Sequence, residues 1–174
     1  MNVVQVNYAY AGQISDPAAL LDAYETLTGW SEAVAAAGAR VSVVQAFHCD
    51  ATVSRNGIDY VFRADCEPAA DGERSRWRWP RALEAEVAAA EPDVVHVNSL
   101  EFAPEIWLLR RALPPTTAIV VQDHASGVPG AFAITGPVRR RLLRAADAFL
   151  FTALEQADAW RSGANEAQDV LLCG

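Results

Sequence analysis

The sequence contains no lysine. All 14 basic residues are arginine, they face 22 acidic residues, and the formal net charge is −8. Proteins that hold a phosphate backbone concentrate positive charge, so no nucleic-acid partner is expected. With 34 alanines beside it, the lysine gap reads as a GC-rich coding bias. Arginine abundance is therefore no special sign of an anion site. Cysteine is scarce as well. Cys49, Cys66 and Cys173 form no C-x-x-C pair and cannot all be bridged, which fits reduced thiols in a cytoplasmic protein. The first basic residue is Arg40, so the charged start of a signal peptide is missing. No apolar run approaches the roughly 20 residues that span a bilayer, so no transmembrane segment is expected.

Several chemical fingerprints are missing too. A dinucleotide site needs G-x-G-x-x-G after the first strand, and the stretch there is NYAYAGQIS, with Gly12 alone. There is no Walker motif. Ser126 sits in H-A-S-G, which is not the G-x-S-x-G setting of a nucleophile elbow. His48, Cys49 and Asp50 with the distant Cys66 fit no common zinc spacing, so no metal and no cofactor are expected.

What is present is alternation. The 174 residues, 52% hydrophobic and 21% charged, suit one globular domain. VVQV at 3–6 is a short apolar run of the kind a strand covered on both faces shows. Asp16-Pro17 marks a helix start; that helix, or a pair broken near Gly29, stops at Gly38. RVSVVQAF at 40–47 is a second strand, and ATVSRNGIDYVF at 51–62 carries Asn56-Gly57 between two β-rich runs, a hairpin signal. After a polar loop at 64–79, Pro80 opens a helix with Leu83, Val87 and Ala90 on one face. Strands then follow at 93–97, 118–122, 148–152 and 169–173, with helices at 102–113, 137–146 and 153–163 between them. This predicts an α/β fold: a doubly wound, mostly parallel Rossmann-like sheet with helices on both faces and a β-hairpin at 51–62. Ligands of such sheets bind beyond the carboxyl ends of the strands, which points to loops 8–15, 98–104, 123–136 and 152–156.

Two histidines fall near that edge. His96, inside VVHVN, reads better as a core histidine than as a catalytic one. His124 follows IVVQD and begins a Ser-, Gly- and Pro-containing stretch. Position alone leaves it open between a cap on the Ser-Gly turn and a functional group.

The series PDVVHVNS (92–99), IVVQDHASG (119–127) and ADAFLFTALEQADAW (146–160) resembles the N-terminal, acceptor-side half of retaining family-four GT-B glycosyltransferases. The resemblance spans residues 1–174 as one Rossmann-like N-terminal domain. It departs from the family pattern at two places: of the usual Gly-Gly turn only Gly12 matches, and Asn98 stands where a second histidine is common. The donor-binding C-terminal domain of the family has no counterpart in these residues, so the chain alone is expected to be inactive.

The resemblance implies sugar transfer from a nucleotide-sugar donor with retention of configuration. It makes His124 the catalytic residue, reaching the donor sugar, and places Gly12 and Gln13 in the loop nearest the donor diphosphate. Asn98, Ser99, Glu101, Asp123, Ser126, Thr152 and Glu155 are the sugar- or acceptor-contacting candidates, with a sugar, a lipid or another small molecule as acceptor. RSRWRWPR at 74–81 interleaves four arginines with two tryptophans. A solvent loop is the favoured reading there, and peripheral membrane contact the alternative. Arg139, Arg140, Arg141 and Arg144 are expected to spread around an exposed helix side. The competing function is a non-catalytic doubly wound domain that binds a ligand or partner; an oxidoreductase domain would need the missing glycine fingerprint.

Overall fold

The computed structural model describes residues 1–9, 13–64, 80–123, 136–161 and 169–172. The chain divides into two compact units, Met1–Asp93 and Val94–Gly174.

In the first unit, strands β1 (Asn2–Asn7), β2 (Arg40–Phe47), β3 (Ala51–Arg55) and β4 (Ile58–Ala64) lie in the order β3-β4-β2-β1. β1 runs parallel to β2 and β2 to β4, while β3 is antiparallel to β4. The β3–β4 turn is made by Asn56 (φ 53°) and Gly57 (φ 78°). Two successive positive φ values are what a two-residue type I′ hairpin turn requires. Arg55, next to that turn, reaches Asp22 at 2.6 Å, and the hydrogen bond to Asp22 and its charge push the guanidinium pKa up.

Helix α1 (Pro17–Ala23) starts as its sequence dictates. Asp16 accepts hydrogen bonds from the backbone N–H groups of Ala18 and Ala19, a cap worth about 1 kcal/mol. The expected break near Gly29 falls instead at Tyr24, and α2 (Glu25–Ala36) passes through Gly29. A glycine costs a helix only about 0.5–1 kcal/mol. Here the buried Leu27 and Ser31 flank it, and Ser31 Oγ lies 3.0 Å from the buried Tyr60 hydroxyl. Packing outweighs propensity. α2 ends in a Schellman motif: Gly38, at φ 94°, donates to Ala35 O and Ala39 to Val34 O.

Helix α3 (Arg81–Ala89) turns Leu83 and Val87 inward, with Pro80 at its N-cap position, and Ala90 is half-buried just beyond its end. The core of this unit collects Val4, Val6, Tyr8, Leu20, Val43, Phe47, Ile58 and Phe62, and the rings of Phe47 and Phe62 meet edge to face. β1 and β2 are buried on both faces, which explains why they read as continuous apolar runs.

The second unit carries β5 (Val94–Asn98), β6 (Ala118–Asp123), β7 (Ala148–Phe151) and β8 (Asp169–Leu172), consecutive and all parallel. A 3₁₀ turn at Leu100–Phe102 leads into α4 (Ala103–Ala112), so the helix expected from 102 begins one residue later and Phe102 is half-buried. α5 (Gly136–Leu143) stops before the expected 146, because Ala145 and Ala146 close i→i+3 turns onto Leu142 and Leu143. α6 spans Leu154–Arg161. Ile106, Leu109, Ile119, Val121, Leu143, Phe149 and Phe151 form the core. No helix among the described residues is long and apolar enough to cross a membrane.

Candidate functional site

The parallel strands set the stage in each unit by bringing their carboxyl ends to one edge. In the first unit that edge carries a buried polar network. Asn7, the last residue of β1, donates from Nδ2 to Oε1 of Gln45 at 2.7 Å. Gln45 Nε2 donates to the carbonyls of Ala9 (2.6 Å) and Ala46 (2.7 Å), and Asn7 Oδ1 accepts from the Ala9 N–H at 3.1 Å. Both side chains are buried. The strand pairing explains the meeting, because Asn7 and Gln45 are direct register partners. Together they grip the first residues beyond β1, where the connection to α1 begins. Gly12, in that connection, lies outside the described residues; Gln13 is described, and it is an exposed turn residue.

In the second unit the edge is formed by the ends of β5, β6 and β7. Asn98 pairs in register with Gln122, and Asp123 with Phe151. Asn98, Asp123 and Thr152 therefore share this edge, with Thr152 exposed, Asn98 half-buried and Asp123 only 3% exposed. Glu155 is an exposed first-turn residue of α6. His124 and Ser126 lie outside the described residues.

Ser99 stands out on backbone grounds. It holds φ 87°, ψ 136°, a region that suits glycine and costs other residues of order 1–3 kcal/mol. Two contacts hold it there: its N–H donates to Gln122 O at 2.7 Å, and its Oγ accepts from the Glu101 N–H at 3.1 Å. Strain of this kind concentrates at ligand-binding positions. Glu101 itself is exposed in the 3₁₀ turn.

His96 is a core residue, 2% exposed, with Nε2 placed 2.8 Å from Gln122 Oε1. An amide oxygen can only accept, so this contact is a hydrogen bond when the ring carries its proton on Nε2. Gln122 thus ties β5 to β6 twice, by its side chain to His96 and by its carbonyl to Ser99. The residues that the sequence did not single out, Asn7, Gln45 and Gln122, share one signal: an amide side chain inside an otherwise apolar strand run.

Arg139 departs from the expectation of an exposed arginine cluster. It is half-buried, and its Nε donates to Leu100 O at 3.0 Å, so α5 reaches across to the Ser99–Glu101 connection. Among the described residues no group of three His, Cys, Asp or Glu side chains could hold a metal ion. Asp50, from the His48-Cys49-Asp50 stretch, accepts the Ala64 N–H at 2.7 Å and latches the hairpin ends.

No protein-family model and no curated protein sequence matches this chain. Solved structures do. A sucrose-phosphate synthase from Thermosynechococcus elongatus aligns over 98% of the chain with a TM-score of 0.66 at 15% identity. The lipopolysaccharide outer core galactosyltransferase WaaB, in its apo form, aligns over 98% with a TM-score of 0.50 at 12% identity. Trehalose-6-phosphate synthase from E. coli aligns over 90% with a TM-score of 0.50 at 16% identity. The chain spans 47%, 44% and 41% of those three proteins. Likeness at such identities establishes architecture: the chain has the Rossmann-like α/β fold of GT-B glycosyltransferases, over just under half their length.

Proposed function

We propose that residues 1–174 form the acceptor-side, N-terminal domain of a cytoplasmic glycosyltransferase that uses a nucleotide-sugar donor and retains the configuration at the anomeric carbon. The observation that carries the reading is the polar edge of β5 and β6: a strained Ser99, a buried Asp123 and a half-buried Asn98 at the strand ends of a glycosyltransferase-like fold. A domain that needed only to fold would end its strands in ordinary turns. The E. coli neighbour was solved bound with UDP-2-fluoro glucose, which supports a nucleotide-sugar donor.

In the proposed reaction the acceptor hydroxyl oxygen bonds to the anomeric carbon on the face from which the nucleoside diphosphate leaves. The carbon–oxygen bond to the diphosphate breaks, and the acceptor proton passes to the departing phosphate oxygen. No carboxylate pair is needed of the kind retaining glycosidases use. The protein orients the two substrates and stabilises charge around an oxocarbenium-like centre. His124 follows the buried Asp123 and faces the donor sugar in this scheme. The connection held by Asn7 and Gln45 carries Gly12 and Gln13 to the diphosphate, where the missing glycine side chain allows close approach. Asn98, Ser99, Glu101, Ser126, Thr152 and Glu155 receive the acceptor.

The test is donor turnover by the protein that contains this domain followed by its downstream sequence. Release of nucleoside diphosphate that depends on an acceptor, with an axial-to-axial or equatorial-to-equatorial product by NMR, supports the reading. If the extended protein turns over no nucleotide-sugar, a ligand- or partner-binding module takes its place.

A further inference from the structure

The guanidinium of Arg139 is held in place but not neutralised. It has five N–H donors, and among the described residues the only hydrogen bond it makes is from Nε to Leu100 O. Nη2 is buried and has no hydrogen-bond partner among the described residues. Arg110, in the same unit, likewise has a buried Nε without a hydrogen-bond partner among the described residues, but its charge is matched. Arg110 pairs with Asp147 at 3.3 Å and donates to the carbonyls of Pro114 and Thr117. No described carboxylate, Glu101 included, forms an ion pair with Arg139. The stretch that precedes α5, residues 124–135 (HASGVPGAFAIT), contains no Asp or Glu to supply one.

A buried cationic donor without an acceptor costs more than a neutral one, because it gives up water for nothing. The position compounds the point. Leu100 lies two residues past the end of β5, adjacent to the strained Ser99, at the edge where parallel sheets take ligands. The Nε bond to a backbone carbonyl fixes the plane of the fork, so its remaining donors are aimed before any ligand arrives.

We infer that Arg139 anchors an oxyanion site beside the carboxyl end of β5, occupied by a phosphate or carboxylate group. Assigning that group to the acceptor rests on the glycosyltransferase reading; the anion site itself does not. The acceptor is then a charged small molecule or a charged headgroup rather than a neutral sugar.

The 174-residue chain is titrated with sodium phosphate and, separately, with sodium acetate, chloride holding the ionic strength constant and no sugar donor present. Amide shifts are followed at Ser99, Leu100 and Glu101 together with the Arg139 Nε–H. One of the two anions is expected to bind saturably with a Kd of roughly 1–10 mM, which identifies the group. Arg139→Gln should weaken that binding by about ten-fold or more, the effect of one charge-assisted contact. Arg139→Lys keeps the charge without the planar fork and should fall between the two, which covers a glutamine variant that fails to fold. No saturable shift with either anion, or binding in both variants within about two-fold of the parent chain, would overturn the site. Because no donor is present, that failure leaves sugar transfer untouched. Failure of sugar transfer, in turn, leaves the anion titration standing.

Discussion

Asn7 and Gln45 meet across 2.7 Å at the carboxyl ends of β1 and β2, and between them they hold the Ala9 N–H and C=O. The two strands pair these positions directly, so the contact follows from register and not from loop chance. Its effect is to fix the exit direction of the chain that leads to Gly12 and Gln13.

Removing one partner should therefore cost more than one hydrogen bond. Gln45→Ala leaves the Asn7 amide and two backbone carbonyls unsatisfied in a buried setting, and about 2–4 kcal/mol of stability should be lost in urea unfolding. Asn7→Ala should cost less, since Gln45 keeps its two carbonyl acceptors. The double variant should be less destabilised than the sum of the singles by about 0.5–3 kcal/mol, the signature of direct coupling. Strict additivity would mean that the two amides do not work together.

Ser99 separates backbone strain from capping. Ser99→Gly removes the Oγ cap on Glu101 but relieves the positive φ, while Ser99→Ala removes the cap and keeps the strain. The glycine variant should be the more stable of the two by about 1–3 kcal/mol in thermal melts. If alanine equals or exceeds glycine, the strain argument is wrong.

Much of this architecture is legible in the sequence. β2 matches its apolar run residue for residue, and Asn56-Gly57 announced a hairpin because few other dipeptides accept two positive φ values. The helix break went to Tyr24 instead of Gly29 because Leu27 and Ser31, on either side of the glycine, are buried. Propensity is a local term and packing is not. The site was less legible for the same reason. Asn98, Ser99 and Asp123 could be placed at strand ends from periodicity alone, but Asn7 with Gln45, and Arg139 with Leu100, depend on pairings 38 and 39 residues apart along the chain. An arginine in a run of arginines carries no local mark of which one turns inward.

The 174-residue chain should transfer no sugar by itself. In the proposed scheme the diphosphate needs cationic partners from a second domain, and such groups supply much of the charge stabilisation in group transfer. Donor binding to this chain should be no tighter than about millimolar, roughly −4 kcal/mol, by calorimetry. Turnover of any nucleotide-sugar by residues 1–174 would show that the half-site argument is mistaken.

His124 carries the most exacting prediction. It directly follows Asp123, the buried last residue of β6. If its imidazole meets the transferred sugar, His124→Ala in the extended enzyme should lower kcat by on the order of 10²–10³, about 3–4 kcal/mol of transition-state stabilisation. The melting temperature is the control. A side chain beyond the strand end that serves the ligand should cost under roughly 0.5 kcal/mol of folding stability when removed. A cap on the following turn would behave the opposite way, costing about 0.5–2 kcal/mol of stability and little turnover. His124→Gln sharpens the division, because an amide can still donate to a sugar hydroxyl but cannot be protonated near neutral pH. Recovery of turnover in the glutamine variant assigns His124 a hydrogen-bonding role. Loss in both variants, with melting unchanged, assigns it one that needs the imidazole's own charge or shape. A variant that melts several degrees lower yet turns over normally would remove His124 from the site.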